Sequence, residues 1–182
     1  YTRYKVHGGR EPNKKEISAF TRQSVKRLRL ALEYAIGDMV AFLTLTYPKA
    51  YPTNGRAIKA HLKTFLHRLQ RRGVLHYLWV EEFQTRGAPH FHILVDKAID
   101  RKELSRMWFE IVKSGDEKHL KAGTSIEEIR DKSKMSLYMC GYLSKNAQKA
   151  VPDGFEKAGR FWGTNVKTSP LFVATDVFES KE

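Results

Sequence analysis

The chain has 182 residues, with 33 Lys+Arg against 20 Asp+Glu, a formal charge of +13 and 41% hydrophobic residues. That length suits a single domain with a buried core. One cysteine, Cys140, excludes an intramolecular disulfide framework and a cysteine-based zinc module, and no apolar run approaches the roughly 20 residues needed to span a bilayer. There is no signal-peptide pattern either, so the expectation is a soluble, cytoplasmic protein with no membrane partner. The first residue is Tyr1, as expected of a processed or trimmed end.

The charge is not evenly spread. Residues 1–30 hold nine basic and two acidic side chains, and residues 56–72 hold six basic and no acidic ones, so these two segments carry the whole excess. Such clusters suit a polyanion, because each phosphate neutralised releases condensed counterions; they also suit an anionic surface or a solvated helix face.

In chain order, Ile17, Phe20, Val25, Leu28, Ala31 and Leu32 recur at helical spacing over 14–35. The run from Val40 to Tyr47 is β-rich and stopped by Pro48, which predicts a buried strand. A second amphipathic helix is expected over 57–72, ending at Gly73, and it carries the second basic cluster. Leu75–Phe83 and His90–Val95 read as strands joined by the hairpin-length loop Gln84-Thr85-Arg86-Gly87-Ala88-Pro89. A third helix is expected over 100–113 with Asp100 as N-cap. A short strand follows at Thr124–Arg130, a fourth helix at Ser133–Lys149, and a last strand in the stretch Leu171–Val177. Helices between strands, with a central hairpin rather than a crossover, predict an α+β fold: one mainly antiparallel sheet with helices packed on it, within a single domain over 1–182.

His90-Phe91-His92 is the sharpest local signal. On a strand, residues i and i+2 share a face, so both imidazoles point the same way with α-carbons about 6.5–7 Å apart, while Phe91 faces the core. Two such rings can converge on one metal ion. Glu81 and Glu82 lie across the hairpin on opposite faces of their strand, so whatever the register, one of them faces the histidines. Two His and one carboxylate with open positions suit a divalent ion that also holds substrate.

The second constellation runs from Tyr138 to Lys149. At about 100° per residue from Tyr138, Tyr142 falls at about 40° and Lys145 at about −20°, with Lys134 and Lys149 on the same stripe; Met135, Met139, Cys140, Leu143 and Ala147 form the face to be buried. Gly141 costs the helix about 1 kcal/mol relative to Ala, and close approach of a ligand backbone is one reason to tolerate it. A phenol becomes a nucleophile when its proton is removed and its target is polarised, both of which a metal on a phosphodiester promotes, while a nearby ammonium such as Lys145 stabilises the developing charge. Together these residues predict metal-assisted transesterification of a nucleic-acid strand onto tyrosine. The strand-holding role falls to Lys59, Lys63 and Arg68 of the second helix, with Arg86 in the hairpin loop and Lys149 beside the tyrosines.

The segment Arg86-Gly87-Ala88-Pro89-His90-Phe91-His92-Ile93-Leu94-Val95 resembles the histidine-hydrophobic-histidine motif of the HUH endonucleases, in particular the rolling-circle replication initiators of phages and plasmids. Phe42-Leu43-Thr44-Leu45-Thr46-Tyr47-Pro48 resembles that family's first motif, and Tyr138-x-x-x-Tyr142-x-x-Lys145 its two-tyrosine third motif; the set is in the family's order and spans roughly 40–149. Gly159-Arg160-Phe161-Trp162-Gly163 is similar to a segment that follows the third motif in phage members. The resemblance implies a five-stranded antiparallel sheet with the histidine strand near its middle, Mg²⁺ or Mn²⁺ as cofactor, and single-stranded DNA at a replication origin as substrate. It implies Tyr142 as first nucleophile with Tyr138 able to alternate, Lys145 in support, and His90, His92 and Glu82 as metal ligands, Glu81 being the fallback. Where many two-tyrosine members have a lysine after the first tyrosine this chain has Gly141, which weakens the case for Tyr138. No ATP-binding Gly-rich loop is present, so a host helicase and polymerase are the implied partners.

Two other readings compete. A single-strand transposase or mobilisation relaxase would use the same chemistry. A non-catalytic nucleic-acid binder would instead use Phe42, Tyr77, Trp79 and Phe91 as stacking platforms.

Overall fold

Strand side chains alternate between faces, and the three longest runs of this chain are apolar on both. The strands they form are Ala41–Thr46 (β1), Tyr77–Phe83 (β2) and Pro89–Val95 (β3). A sheet built from them must be covered on both sides, and in the computed structural model, which describes residues 20–144 and 150–167, it is. The remaining elements are helices Arg22–Ala35 (α1), Gly55–Gln70 (α2), Arg101–Val112 (α3), Glu117–Ala122 (α4) and Lys132–Ser144 (α5), and strands Thr124–Glu128 (β4) and Trp162–Thr164 (β5).

The sheet is five-stranded in the order β4-β1-β3-β2-β5, and each neighbouring pair is antiparallel. This is the α+β architecture the sequence predicts, with the histidine strand at the centre. Ala41, Leu43 and Leu45 of β1, Trp79 and Phe83 of β2, and Phe91, Ile93 and Val95 of β3 pack against α2 and α3. Phe42, Leu78, Val80 and Leu94 form the other face with Leu28, Ala31, Leu32 and Ala35 of α1 and Met139 of α5. Trp108 and Phe65 are fully buried in the first core, their rings edge-on at 5.8 Å. Full burial of side chains of this size contributes about 1.5–3 kcal/mol each.

Local signals place the boundaries. Asp100 caps α3, its carboxylate accepting from the amides of Lys102 and Glu103 at 2.9 Å, and Gly73 beyond α2 takes a left-handed φ of 85°. The helix expected from residue 14 starts at Arg22, because the Thr21 hydroxyl caps it by accepting from Ser24 N at 3.2 Å. Residues 14–19 lie outside the described residues, as do Leu171–Val177, where a last strand is expected. Two elements were not anticipated: the six-residue α4, and β5, which joins β2 through Leu78↔Thr164, Trp79↔Gly163 and Val80↔Trp162. No described helix is long and apolar enough to cross a membrane.

Candidate functional site

His90 and His92 project from the central strand toward the α1/α5 side, their ring centroids 4.7 Å apart. Glu82 lies directly opposite His90 in the β2–β3 register. Its carboxylate is buried, and its Oε2 is 3.4 Å from His92 Nε2. Glu81 turns the other way, is fully buried beneath α2, and pairs with Lys59. The residue that shares the histidine face is therefore Glu82, the choice the sequence alone leaves open.

His90 is held by its neighbours. Thr46 Oγ1, opposite it on β1, lies 3.1 Å from His90 Nδ1, and Gln84 Nε2 is 3.5 Å from the same nitrogen. Thr46 is itself clamped: Trp108 Nε1 donates to its carbonyl at 2.8 Å, and His119 Nε2 donates to the same oxygen at 2.8 Å. Engaging Nδ1 aims the Nε2 of His90 outward as the ligating atom, the usual way an outer partner orients a metal-binding histidine. Burial, helped by the charges of His92 and Arg86, pushes the His90 imidazole down to about 4, so at neutral pH it is uncharged and its lone pair is available. Sequence reasoning missed Thr46 and Gln84; their only signal is that each neighbours a quoted motif.

Among the described residues no three His, Cys, Asp or Glu side chains already stand arranged to hold a metal ion. The donor types nevertheless suit one: two imidazoles and a carboxylate on one face, with Glu82 Oε1 buried and accepting no hydrogen bond among the described residues. A buried carboxylate oxygen without a donor is costly, and a cation is one group that removes that cost.

Phe42 connects the histidines to the tyrosine helix. Its ring stacks on His92 at 5.4 Å and meets Tyr138 edge-on at 5.6 Å. Met139 anchors α5 in the core beside Phe42, with Met135 half-buried next to it, as the helical spacing predicts. Tyr138 is 47% exposed. Position 142 follows one turn along α5; the Tyr142 side chain, together with Lys145 and Lys149, lies outside the described residues. A Cβ at Gly141 would meet nothing within 4 Å, so no neighbouring atom of the described residues requires glycine there.

The basic residues divide. Lys59 is drawn to buried Glu81, Arg68 pairs with Glu110 at 2.8 Å, and Arg72 pairs with Glu103. Half of the 56–72 cluster is thus engaged within the fold, while Lys63 is exposed and makes no ion pair among the described residues. Arg86 ties two loops together, donating to the carbonyls of Pro48 at 2.9 Å and Tyr47 at 2.6 Å and lying 5.2 Å from the Tyr51 ring. Tyr47, the tyrosine of the first motif, is buried on the opposite face and bonded to His61 Nδ1 at 3.0 Å. Burial, with the Glu81 charge, raises its pKa far above the usual range, so it stays a phenol.

An antiparallel sheet carrying a histidine pair on its middle strand, with a tyrosine helix laid on the same face, is the arrangement implied by the likeness to replication initiators. The family model for the replication-associated protein ORF2 matches residues 40–147, more than half of the chain and all three motifs. The chain belongs to this family of Rep-like initiators, which gives it a role in replication initiation. No curated protein matches it significantly.

Proposed function

We propose that the protein is a metal-dependent single-stranded DNA endonuclease and strand transferase of the HUH type, which starts rolling-circle replication by nicking the origin and keeping the 5′-phosphate on tyrosine. The observation that carries this reading is the common face: Glu82, His90 and His92 lie together on β2 and β3, and Tyr138 reaches that face through Phe42. Phe91 is fully buried and Phe42 is covered by His92 and Tyr138, which removes two of the four stacking platforms a purely binding role would use.

In this reading His90, His92 and Glu82 hold Mg²⁺ or Mn²⁺, which would supply Lewis-acid polarisation of the scissile phosphodiester. The Tyr142 phenol oxygen attacks phosphorus as its proton is lost, and the bond from phosphorus to the 3′-oxygen breaks. That oxygen leaves as a 3′-hydroxyl after taking a proton, free to prime a polymerase. Lys145 stabilises charge on the phosphoryl oxygens, and Tyr138 serves a second transfer. The phosphotyrosine ester conserves the bond energy for later joining. A host helicase supplies unwinding.

The test is to incubate end-labelled single-stranded oligonucleotides spanning a candidate origin with protein and Mn²⁺, then denature. A protein–DNA adduct that survives denaturation is expected. Cleavage without adduct would make water the nucleophile, and neither product would leave a binding module.

A further inference from the structure

The segment Gly159-Arg160-Phe161-Trp162-Gly163 has no part in the chemistry above, yet it builds a second feature on the face of the sheet away from the histidines. Phe161 is buried, and its carbonyl accepts from Glu81 N at 2.7 Å, fastening the segment to β2. Trp162 turns to the other side, where its Nε1 donates to Ser24 Oγ at 2.9 Å. Gly163 lies opposite Trp79, and a Cβ there would stand 2.8–2.9 Å from the indole atoms, so only glycine lets the indole lie against the β5 backbone. Gly159 turns the chain with a φ of 74°, just before the exposed Arg160.

The result is a groove of about 260 Å³ between α2 and the β2/β5 edge, walled by Tyr77 and Trp79 and rimmed by Lys63, His67 and Arg160. Lys63 and His67 are four residues apart on α2 and share a face. No acidic residue lines it. Among the described residues, neither Lys63 nor Arg160 makes an ion pair, whereas Lys59 at the base is neutralised by Glu81. Arg160 also lines a neighbouring depression of about 540 Å³ between α1 and β5, which again has no acidic residue. Aromatic walls with a one-sign cationic rim match a flat, apolar base carried on an anionic backbone.

We propose that this groove is a second DNA-binding site, distinct from the histidine face, which takes one unpaired base between Tyr77 and Trp79 and its flanking phosphates on Lys63 and Arg160. This rests on the reading of single-stranded DNA as the substrate, and it adds a place where the strand is held away from the reacting phosphate.

The experiment measures binding of a fluorescent single-stranded 20-mer by anisotropy in EDTA, where no cleavage occurs, over a series of salt concentrations. Lys63→Gln/Arg160→Gln is expected to lower the salt slope by about 1.4, the value for two lost phosphate contacts on a single strand. Tyr77→Ala is expected to weaken binding about 5- to 100-fold, the range for one lost stacking partner. DNA should quench tryptophan emission in the parent and much less in Trp79→Phe, a readout that loss of structure alone would not give if the melting curves coincide. Arg56→Gln/Arg71→Gln removes the same charge from the same helix outside the groove and should change affinity much less. Equal effects of the two double variants, or unchanged quenching in Trp79→Phe, would overturn the site. So would binding of a polyglutamate peptide in preference to the 20-mer. Adduct formation in Mn²⁺ is scored separately: a parent that binds through the groove but forms no adduct overturns the nuclease reading and leaves the groove standing.

Discussion

The ring of Phe42 lies parallel to the imidazole of His92, with 5.4 Å between centroids and 8° between planes. The same ring meets Tyr138 edge-on, so one side chain of β1 sets both the tilt of a candidate ligand and the seat of the tyrosine helix. Phe42→Leu keeps most of the volume and should cost less than about 1.5 kcal/mol of stability. It should nevertheless weaken Mn²⁺ binding and slow adduct formation, because the flat support is gone. Thermal melts alongside a Mn²⁺ titration check this; an unchanged titration would reduce Phe42 to packing.

The two adjacent glutamates should separate cleanly. Glu82→Gln is expected to lower Mn²⁺ affinity at least tenfold and to abolish adduct formation, with little change in DNA affinity. Glu81→Gln should leave Mn²⁺ affinity within about twofold, yet it removes the partner of Lys59 under α2 and should destabilise the fold by about 1–3 kcal/mol. Calorimetric metal titration and denaturant unfolding of both variants distinguish the roles.

Tyr142→Phe should eliminate the denaturation-resistant adduct in a first-cleavage assay, while Tyr138→Phe retains it and loses only a second transfer. A Tyr142→Phe protein that forms adduct at the parental rate would pass the nucleophile role to Tyr138.

Acid should destabilise the metal-free protein through His90. Its pKa is held at about 4 in the fold against about 6.5 when unfolded. Between these values the unfolded state binds more protons, so stability is full above about pH 6.5 and falls as pH drops toward 4, by up to about 3 kcal/mol. In EDTA, His90→Asn should flatten this part of the stability profile measured by urea unfolding. A profile identical to the parent would show that another group carries the acid sensitivity.

Gly141→Ala should stabilise α5 by about 1 kcal/mol, since a Cβ there meets no neighbour. If DNA passes close to this turn, the same variant should lose nicking activity while gaining melting temperature. Parallel gains in both would show that the glycine serves no ligand.

From sequence alone, the period-2 alternation of the three long strands, the hairpin and the capped helices were legible, because each depends on neighbours within a few residues. So was the pairing of His90 with His92 on one face, which follows from strand geometry. The short elements were not. β5 has three residues and exists only because Gly163 lets Trp79 lie against it, and nothing local announces that. Likewise, the choice between Glu81 and Glu82 needed the β2–β3 register, and the clamp on His90 needed Thr46, 44 residues away, to be brought opposite it. Charge shows the same division. The excess in 56–72 is a property of the sequence, but which lysines and arginines remain free for a polyanion depended on where Glu81, Glu103 and Glu110 came to rest. Local periodicity determined which side chains share a face; only long-range packing decided which of them meet.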